Sequence, residues 1–201
     1  FRESLATLPV HIDSDAAGNL WAVLPGERPD MMVVGSHLDS VPKGGWLDGA
    51  LGVMSGVELL RALAAEGTPP VTVAVVDWAD EEGARFSRSL FGSAACMGTL
   101  DVEVLRGLTD REGNRLPDVL TEHGVDLDYL DGARARMEHV QAYVEVHIEQ
   151  GPILEAEAKE ERDAARVEVG SRVVICLSIR GAAGNRDSGA LLPPGVRSAN
   201  D

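Results

Sequence analysis

Basic residues are scarce in this 201-residue chain, which has 18 Lys and Arg against 33 Asp and Glu and a formal net charge of -15. Binding to a phosphate backbone or to an anionic lipid surface depends on Lys and Arg, because these side chains neutralise the negative charge. We therefore expect neither a nucleic-acid partner nor a membrane partner.

Long apolar runs and closely spaced cysteines are also missing. Gly and Pro interrupt every apolar stretch before it reaches the roughly 18 residues that a membrane helix requires. No basic start followed by an apolar segment marks a secretory signal. Cys96 and Cys176 are far apart in the sequence, which does not indicate a disulfide framework. We expect a cytoplasmic protein with free thiols.

The apolar content of 44% supports a packed core, and its patterning predicts an α/β fold. Segments 9–13 and 19–24 have the character of an edge hairpin around a Gly-containing turn. Segments 31–35 and 71–76 are short, continuous apolar runs, typical of strands buried on both faces of a parallel sheet. Apolar spacings of three and four predict a helix over 49–66 between them.

The second half of the chain is less regular. Residues 101–137 contain amphipathic helical patches, and Val140–Ile148 alternates apolar and polar residues as a half-buried strand does. Ala, Glu and Arg are dense over 154–166, which predicts an exposed helix. Arg172–Ile179 predicts a further strand, and the Gly, Pro, Ser and Asn content of 181–201 predicts loop.

Five acidic and imidazole side chains lie near the ends of apolar segments: His37, Asp48, Glu81, Glu82 and His147. Open α/β sheets place ligands beyond the carboxyl ends of their strands, where most of this set is expected. Imidazole nitrogen and carboxylate oxygen suit Zn²⁺, Mn²⁺ or Co²⁺, and an unligated carboxylate can take a proton from water. The set therefore points to metal-assisted hydrolysis.

Each residue taken alone also has a simpler explanation. A lone His is more often structural than a ligand, Asp48 could be the N-cap of the following helix, and Glu81 with Glu82 could form a solvated acidic loop. Asp39 adds weight to the site, because a carboxylate two residues after His37 is well suited to accept its second ring N–H.

Four motifs carry a family resemblance: GSHLDSVP at 35–42, LDGALG at 47–52, DEEGARF at 80–86 and HIEQGP at 147–152. Together they resemble the M20 metallopeptidase superfamily. Within it they look like the branch of N-carbamoyl-L-amino-acid hydrolases, β-ureidopropionases and allantoate amidohydrolases. The resemblance implies a zinc-exopeptidase-like catalytic domain with a mixed, mainly parallel sheet flanked by helices. It also implies two divalent ions (Zn, Mn, Co or Ni) and a small carbamoyl or ureido substrate.

The resemblance assigns roles to these positions. It implies that Asp48 bridges the two ions, that His37 and His147 complete one ion site, and that Glu82 binds the other ion. It further implies that Glu81 is the general base and that Gln150 touches the substrate. We predict Glu81 and Asp39 as the catalytic residues. Asn185 stands where relatives have a substrate-binding histidine.

The same resemblance divides the chain into a partial metal-binding catalytic domain at 1–168 and the start of a lid and dimerisation domain at 169–201. If a full lid domain exists, we expect a homodimer. Relatives complete the second ion site with a further histidine, whereas this sequence has none after residue 152. Three alternatives therefore stay open. They are a non-catalytic paralogue with one ion at His37, Asp48 and His147, an M20-type aminoacylase or dipeptidase, and a generic acidic binding domain.

Overall fold

A seven-stranded mixed sheet forms the centre of the fold. The structure, a computed structural model, describes residues 1–149, 156, 161–169 and 172–179. The strands are β1 (His11–Ser14), β2 (Leu20–Leu24), β3 (Met31–His37), β4 (Thr72–Trp78), β5 (Val140–Ile148), β6 (Glu161–Val169) and β7 (Arg172–Ile179).

Helices cover the sheet. They are α1 (Arg2–Leu5), α2 (Ala50–Glu66), α3 (Phe91–Met97), α4 (Val102–Arg106), α5 (Leu116–Glu122) and a 3-10 helix (Leu127–Met137). Among the described residues, no helix combines the length and apolar character needed to cross a bilayer.

The strand order is β1-β2-β4-β3-β5-β7-β6. The four inner strands β4, β3, β5 and β7 are parallel to one another, whereas β1, β2 and β6 join antiparallel at the margins. Because the inner strands are parallel, their carboxyl ends lie at one edge of the sheet. The register places His37 of β3 opposite Trp78 of β4 at this edge.

The core has two parts, one on each face of the sheet. Val73 and Val75 of β4 belong to the cluster that includes Val53, Val57 and Leu60 of α2. Ala74 and Val76, which alternate with them, belong to the cluster that includes residues of α3, α4, α5 and the 3-10 helix. Burying a Val or Leu side chain contributes about 1.5–3 kcal/mol, so the apolar run of β4 stabilises both layers.

Most predicted elements are confirmed. The edge hairpin is β1 and β2, the two buried runs are β3 and β4, the helix over 49–66 is α2, and Val140–Ile148 is β5. The α/β fold class with a mixed sheet flanked by helices is also confirmed.

The prediction of an exposed helix over 154–166 is wrong for its second half, since Glu161–Val169 is strand β6. The Ala, Glu and Arg content favours helix locally, but β6 pairs antiparallel with β7 over its whole length, and pairing overrides propensity. Strand β7 in turn pairs with β5 and continues the sheet. The domain boundary at residue 168 stays a prediction, and segment 181–201 lies outside the described residues.

Candidate metal centre

Three side chains from different elements meet at the carboxyl edge of the sheet. His37 ends β3, His147 is the penultimate residue of β5, and Asp48 lies in the loop before α2. One potential ligand atom from each of the three lies within 4.8 Å of the others. His37 and Asp48 are buried and His147 is partly buried. The convergence that the strand ends predicted is therefore present for these three residues.

Gly49 makes the close approach of Asp48 to His37 feasible. Its φ is +68°, a conformation that L side chains rarely adopt. A Cβ at this position would lie 2.4 Å from the carbonyl oxygen of His37 and 2.5 Å from its Cε1 atom. Gly49 is also the N-cap of α2, so the alternative in which Asp48 caps that helix is wrong.

Hydrogen bonds orient both imidazoles. Nδ1 of His37 lies 2.9 Å from the carbonyl oxygen of Asp39 and 3.4 Å from its Oδ1. Nδ1 of His147 lies 2.7 Å from the carbonyl oxygen of Ile148. Because a carbonyl only accepts, each Nδ1 must carry the hydrogen, which leaves Nε2 of both rings as the atom that can bind an ion.

This orientation places two acceptors face to face. Nε2 of His147 lies 3.2 Å from Oδ1 of Asp48, a contact that requires a positive charge between the two atoms, either a proton or a metal ion. Burial lowers the pKa of His147, but the hydrogen bonds with Asp48 and with the Ile148 carbonyl, together with the charges of Glu145 and Asp48, outweigh burial and raise the pKa. Burial likewise lowers the pKa of His37, yet the hydrogen bonds and charge of Asp39 raise it to about 9. The surroundings thus favour a cation, and the donor set fits a divalent ion.

Glu82 does not belong to the three-residue cluster, although it lies within its electrostatic reach. Its pKa is raised, first by burial and then by the negative charge of Asp48. Such mutual repulsion between carboxylates is relieved when a cation lies between them. The position of Glu82 is therefore compatible with a second ion that shares Asp48.

The carboxyl group of Glu81 is more deeply buried than that of Glu82. Its carboxylate accepts hydrogen bonds from the Ser93 hydroxyl at 2.9 and 3.2 Å. Burial raises the pKa of Glu81 to about 7, against the opposing effect of the Ser93 hydrogen bond. A carboxyl group with a pKa near neutrality can both accept and release a proton at pH 7.

Asp39 has a contact that the sequence did not predict. Its Oδ1 accepts a hydrogen bond from the backbone N–H of Glu81 at 3.2 Å, and its Oδ2 accepts one from the backbone N–H of Glu82 at 3.0 Å. One carboxylate therefore contacts the His37 ring and also holds the loop that carries both glutamates. Asp39 links the ends of β3 and β4.

A second polar group beside the centre was also missed. Tyr143 and Glu145 precede His147 on the same face of β5, and Glu145 accepts hydrogen bonds from Ser36 at 2.5 Å and from Tyr143 at 3.0 Å. The Tyr143 hydroxyl accepts a hydrogen bond from Nε1 of Trp78 at 3.0 Å. The period of two along β5 is the sequence signal that could have found this group.

Two predicted substrate-binding residues, Gln150 and Asn185, lie outside the described residues. The structure brings together His37, Asp48 and His147, places Asp39, Glu81 and Glu82 around them, and leaves the roles of Gln150 and Asn185 as predictions.

Comparison with known proteins gives consistent matches. The profile of Peptidase family M28 matches residues 19–154. The N-carbamoyl-L-amino acid amidohydrolase of Geobacillus stearothermophilus is 47% identical over 146 residues, which cover 70% of this chain and 35% of that protein. The allantoate deiminase of Arabidopsis thaliana is 39% identical over 129 residues, covering 62% of this chain and 24% of that protein.

Solved structures agree with the sequence matches. A hydantoinase/carbamoylase family amidase from Burkholderia ambifaria superposes with a TM-score of 0.68 at 30% identity, covering 85% of this chain and 45% of that chain. An amidase of the same family from Burkholderia phymatum gives a TM-score of 0.67 at 35% identity. This match covers 82% of this chain and 40% of that chain. The matched part of this chain covers 35% of the length of the curated relative from Geobacillus, about a third of that protein.

Proposed function

The chain belongs to the M28/M20-like hydrolases, with Peptidase family M28 as its matching profile, and from this membership we propose that it carries the metal centre of an amidohydrolase. The proposed reaction is hydrolysis of a linear C–N bond in a carbamoyl or ureido compound, such as an N-carbamoyl-L-amino acid. The names of its relatives support this substrate class.

The observation that carries the proposal is the contact between the partly buried His147 and the buried Asp48, 3.2 Å apart, next to His37. All three residues lie at the carboxyl ends of parallel strands or in the loop that follows one, and this edge is where open α/β sheets bind ligands. Paired acceptors in a buried position are costly unless a cation separates them. A divalent ion meets this requirement.

We propose two ions. His37, Asp48 and His147 would hold the first, and Asp48 together with Glu82 would hold the second. Zn, Mn, Co and Ni all suit this mixture of imidazole and carboxylate. When bound, such ions polarise a substrate carbonyl and lower the pKa of water.

Glu81 is the proposed general base. Its carboxylate would take a proton from the attacking water and return it to the nitrogen that leaves as the C–N bond breaks. A pKa of about 7, raised mainly by burial, suits both steps. Asp39 would keep Glu81 and Glu82 in place through their backbone amides.

Further parts of the proposal rest on the resemblance. Gln150 and Asn185 would contact the substrate, and a full lid domain would provide a homodimer interface. A cytoplasmic location stays a prediction of the composition.

The decisive experiment measures metal content and hydrolysis of N-carbamoyl-L-amino acids by the purified chain. We expect about two equivalents of ion with turnover. Glu81→Gln should retain the ions but lose turnover, whereas Asp48→Ala should lose both, because both ions share Asp48. Glu66→Gln, at an exposed position at the end of α2, is the matched control and should behave as wild type. Equal metal loss in Glu81→Gln and Asp48→Ala would refute the assigned roles.

One observation favours a second candidate function. The described cluster contains His37, Asp48 and His147 without Glu82, which is the arrangement expected for a protein that binds a single ion without catalysis. About one equivalent of ion and no hydrolysis would support this candidate, and no bound ion would exclude both.

A further inference from the structure

Asn19 is a fully buried polar side chain, with 0% of its surface exposed, at the turn between β1 and β2. A buried amide requires partners for its oxygen and for its nitrogen. Its nitrogen donates to Oδ2 of Asp15 at 2.9 Å and to the carbonyl oxygen of Gly92 at 3.1 Å, and its oxygen accepts the backbone N–H of Ala79 at 2.9 Å. These partners fix the orientation of the amide, because a flipped side chain would face acceptors with its own acceptor.

Ala79 and Gly92 are the two ends of the loop that carries Glu81 and Glu82. The backbone N–H of Gly92 donates to the carbonyl oxygen of Ala79 at 2.9 Å, and that of Leu90 donates to the carbonyl oxygen of Glu81 at 2.8 Å. A Cβ at Gly92 would lie 1.9 Å from Oδ1 of Asn19. Asn19 therefore closes the base of this loop, and Gly92 leaves the space for it.

The same loop contains unusual backbone conformations. Asp80, Ser87 and Leu90 have φ values of +49°, +55° and +62°, which cost free energy in residues other than glycine. Such conformations persist only where the surrounding structure holds them. The hydrogen bonds from Asn19 at the base are contacts that hold this loop.

Ser93 continues the connection to the Glu81 side chain. It follows Gly92 in α3, and its hydroxyl donates to the Glu81 carboxylate at 2.9 and 3.2 Å. The backbone that Asn19 fixes at Gly92 thus also fixes the Ser93 hydroxyl relative to β4. A path of direct contacts leads from Asn19 through Gly92 and Ser93 to Glu81.

We propose that Asn19 and Ser93 are positioning residues that set the place of the Glu81 carboxylate. Asn19 closes the base of the loop, and Ser93 selects the orientation of the side chain at its top. This inference rests on the proposed function for its catalytic meaning, but the placement of Glu81 can be measured without turnover.

The kinetic test compares Ser93→Ala, Ser93→Thr and Asn19→Ala in the 201-residue chain. Misplacing a catalytic group by about 1 Å can cost about 10²-fold in rate. We expect kcat to fall between about 10- and 100-fold in Ser93→Ala and in Asn19→Ala, with KM and metal content unchanged. Ser93→Thr keeps the hydroxyl and should recover most of the loss. Ser55→Ala, a half-buried serine in α2, is the control for replacing a helical serine and should match wild type.

The structural test compares crystal structures of wild type and Ser93→Ala. We expect the Glu81 carboxylate to be displaced or to occupy more than one rotamer in the variant, while His37, Asp48 and His147 stay in place. An unmoved carboxylate, or a change in KM and metal content without a change in kcat, would overturn the inference. A metal-loaded wild type without turnover would refute the proposed function, and the inference would still be decided by the position of Glu81. If Asn19→Ala does not fold, the comparison of Ser93→Ala with Ser93→Thr still tests whether the Ser93 hydroxyl positions Glu81.

Discussion

Gly49→Ala probes the packing between the loop of Asp48 and the His37 ring. The substitution adds one methyl group at a φ of +68°, 2.4 Å from the carbonyl oxygen of His37 and 2.6 Å from its Nδ1. A positive φ alone costs about 1 kcal/mol for alanine. Overpacking against a backbone atom that cannot rotate away adds about 1–3 kcal/mol. We expect a total loss of about 2–4 kcal/mol in the free energy of unfolding.

Gly124→Ala separates the two contributions. Gly124 has a φ of +79°, and an added Cβ would have no neighbour within 4 Å. This control should lose only about 1 kcal/mol. Both variants are compared by urea denaturation of the metal-free protein, so that ion binding does not contribute to stability.

The same pair predicts different ion affinities. Displacing His37 should weaken zinc binding about 10- to 100-fold in Gly49→Ala, the range typical when the support of a ligand is disturbed. Gly124→Ala should bind zinc as wild type does, as measured by titration calorimetry. Equal stability and equal affinity in the two variants would show that the close approach of Gly49 to His37 does not hold in solution.

Three further predictions concern regions away from the centre. The hydrogen bond from Asn114, followed by that from Arg85, lowers the pKa of Asp110 to about 2, below its unfolded value of about 3.9. Its stabilisation is therefore present above about pH 4 and lost as the pH falls through about 2. The difference in the free energy of unfolding between wild type and Asp110→Asn should shrink over this window, and a constant difference would contradict the assignment. Cys96 is 2% exposed and burial raises its pKa, so peptide mass spectrometry should find it alkylated by iodoacetamide in urea but not in the folded protein. Equal labelling in both conditions would exclude this burial. Leu60→Ala should lower the free energy of unfolding by about 2–5 kcal/mol because the side chain is fully buried, as measured by urea denaturation; a loss below about 1 kcal/mol would contradict its place in the core.

The central layer was predictable because its signals are local. Strands β3 and β4 are continuous apolar runs, and α2 shows helical spacing between them. A parallel arrangement follows from that order, and it places His37 and Glu81 at one edge of the sheet. The four motifs then indicated the family, which the matches to Peptidase family M28 and to carbamoylases confirm.

What the sequence did not reveal depends on contacts between distant segments. Strand β6 has a helix-favouring composition, and its pairing with β7 decides its conformation. Asn19 and Ser93 are small polar residues without a motif, and their contacts with the loop after β4 arise only when the chain folds. The second contact of Asp39, with the backbone of Glu81 and Glu82, also joins segments about 40 residues apart.

The central claim is that His37, Asp48 and His147 bind a divalent ion together. The most direct test is anomalous diffraction at the zinc absorption edge from crystals of the zinc-loaded protein. We expect a peak about 2.0–2.2 Å from Nε2 of both histidines and from the Asp48 carboxylate. The account would be contradicted by a zinc peak that lies away from all three side chains. It would also be contradicted if the three side chains contact one another and no ion is bound between them.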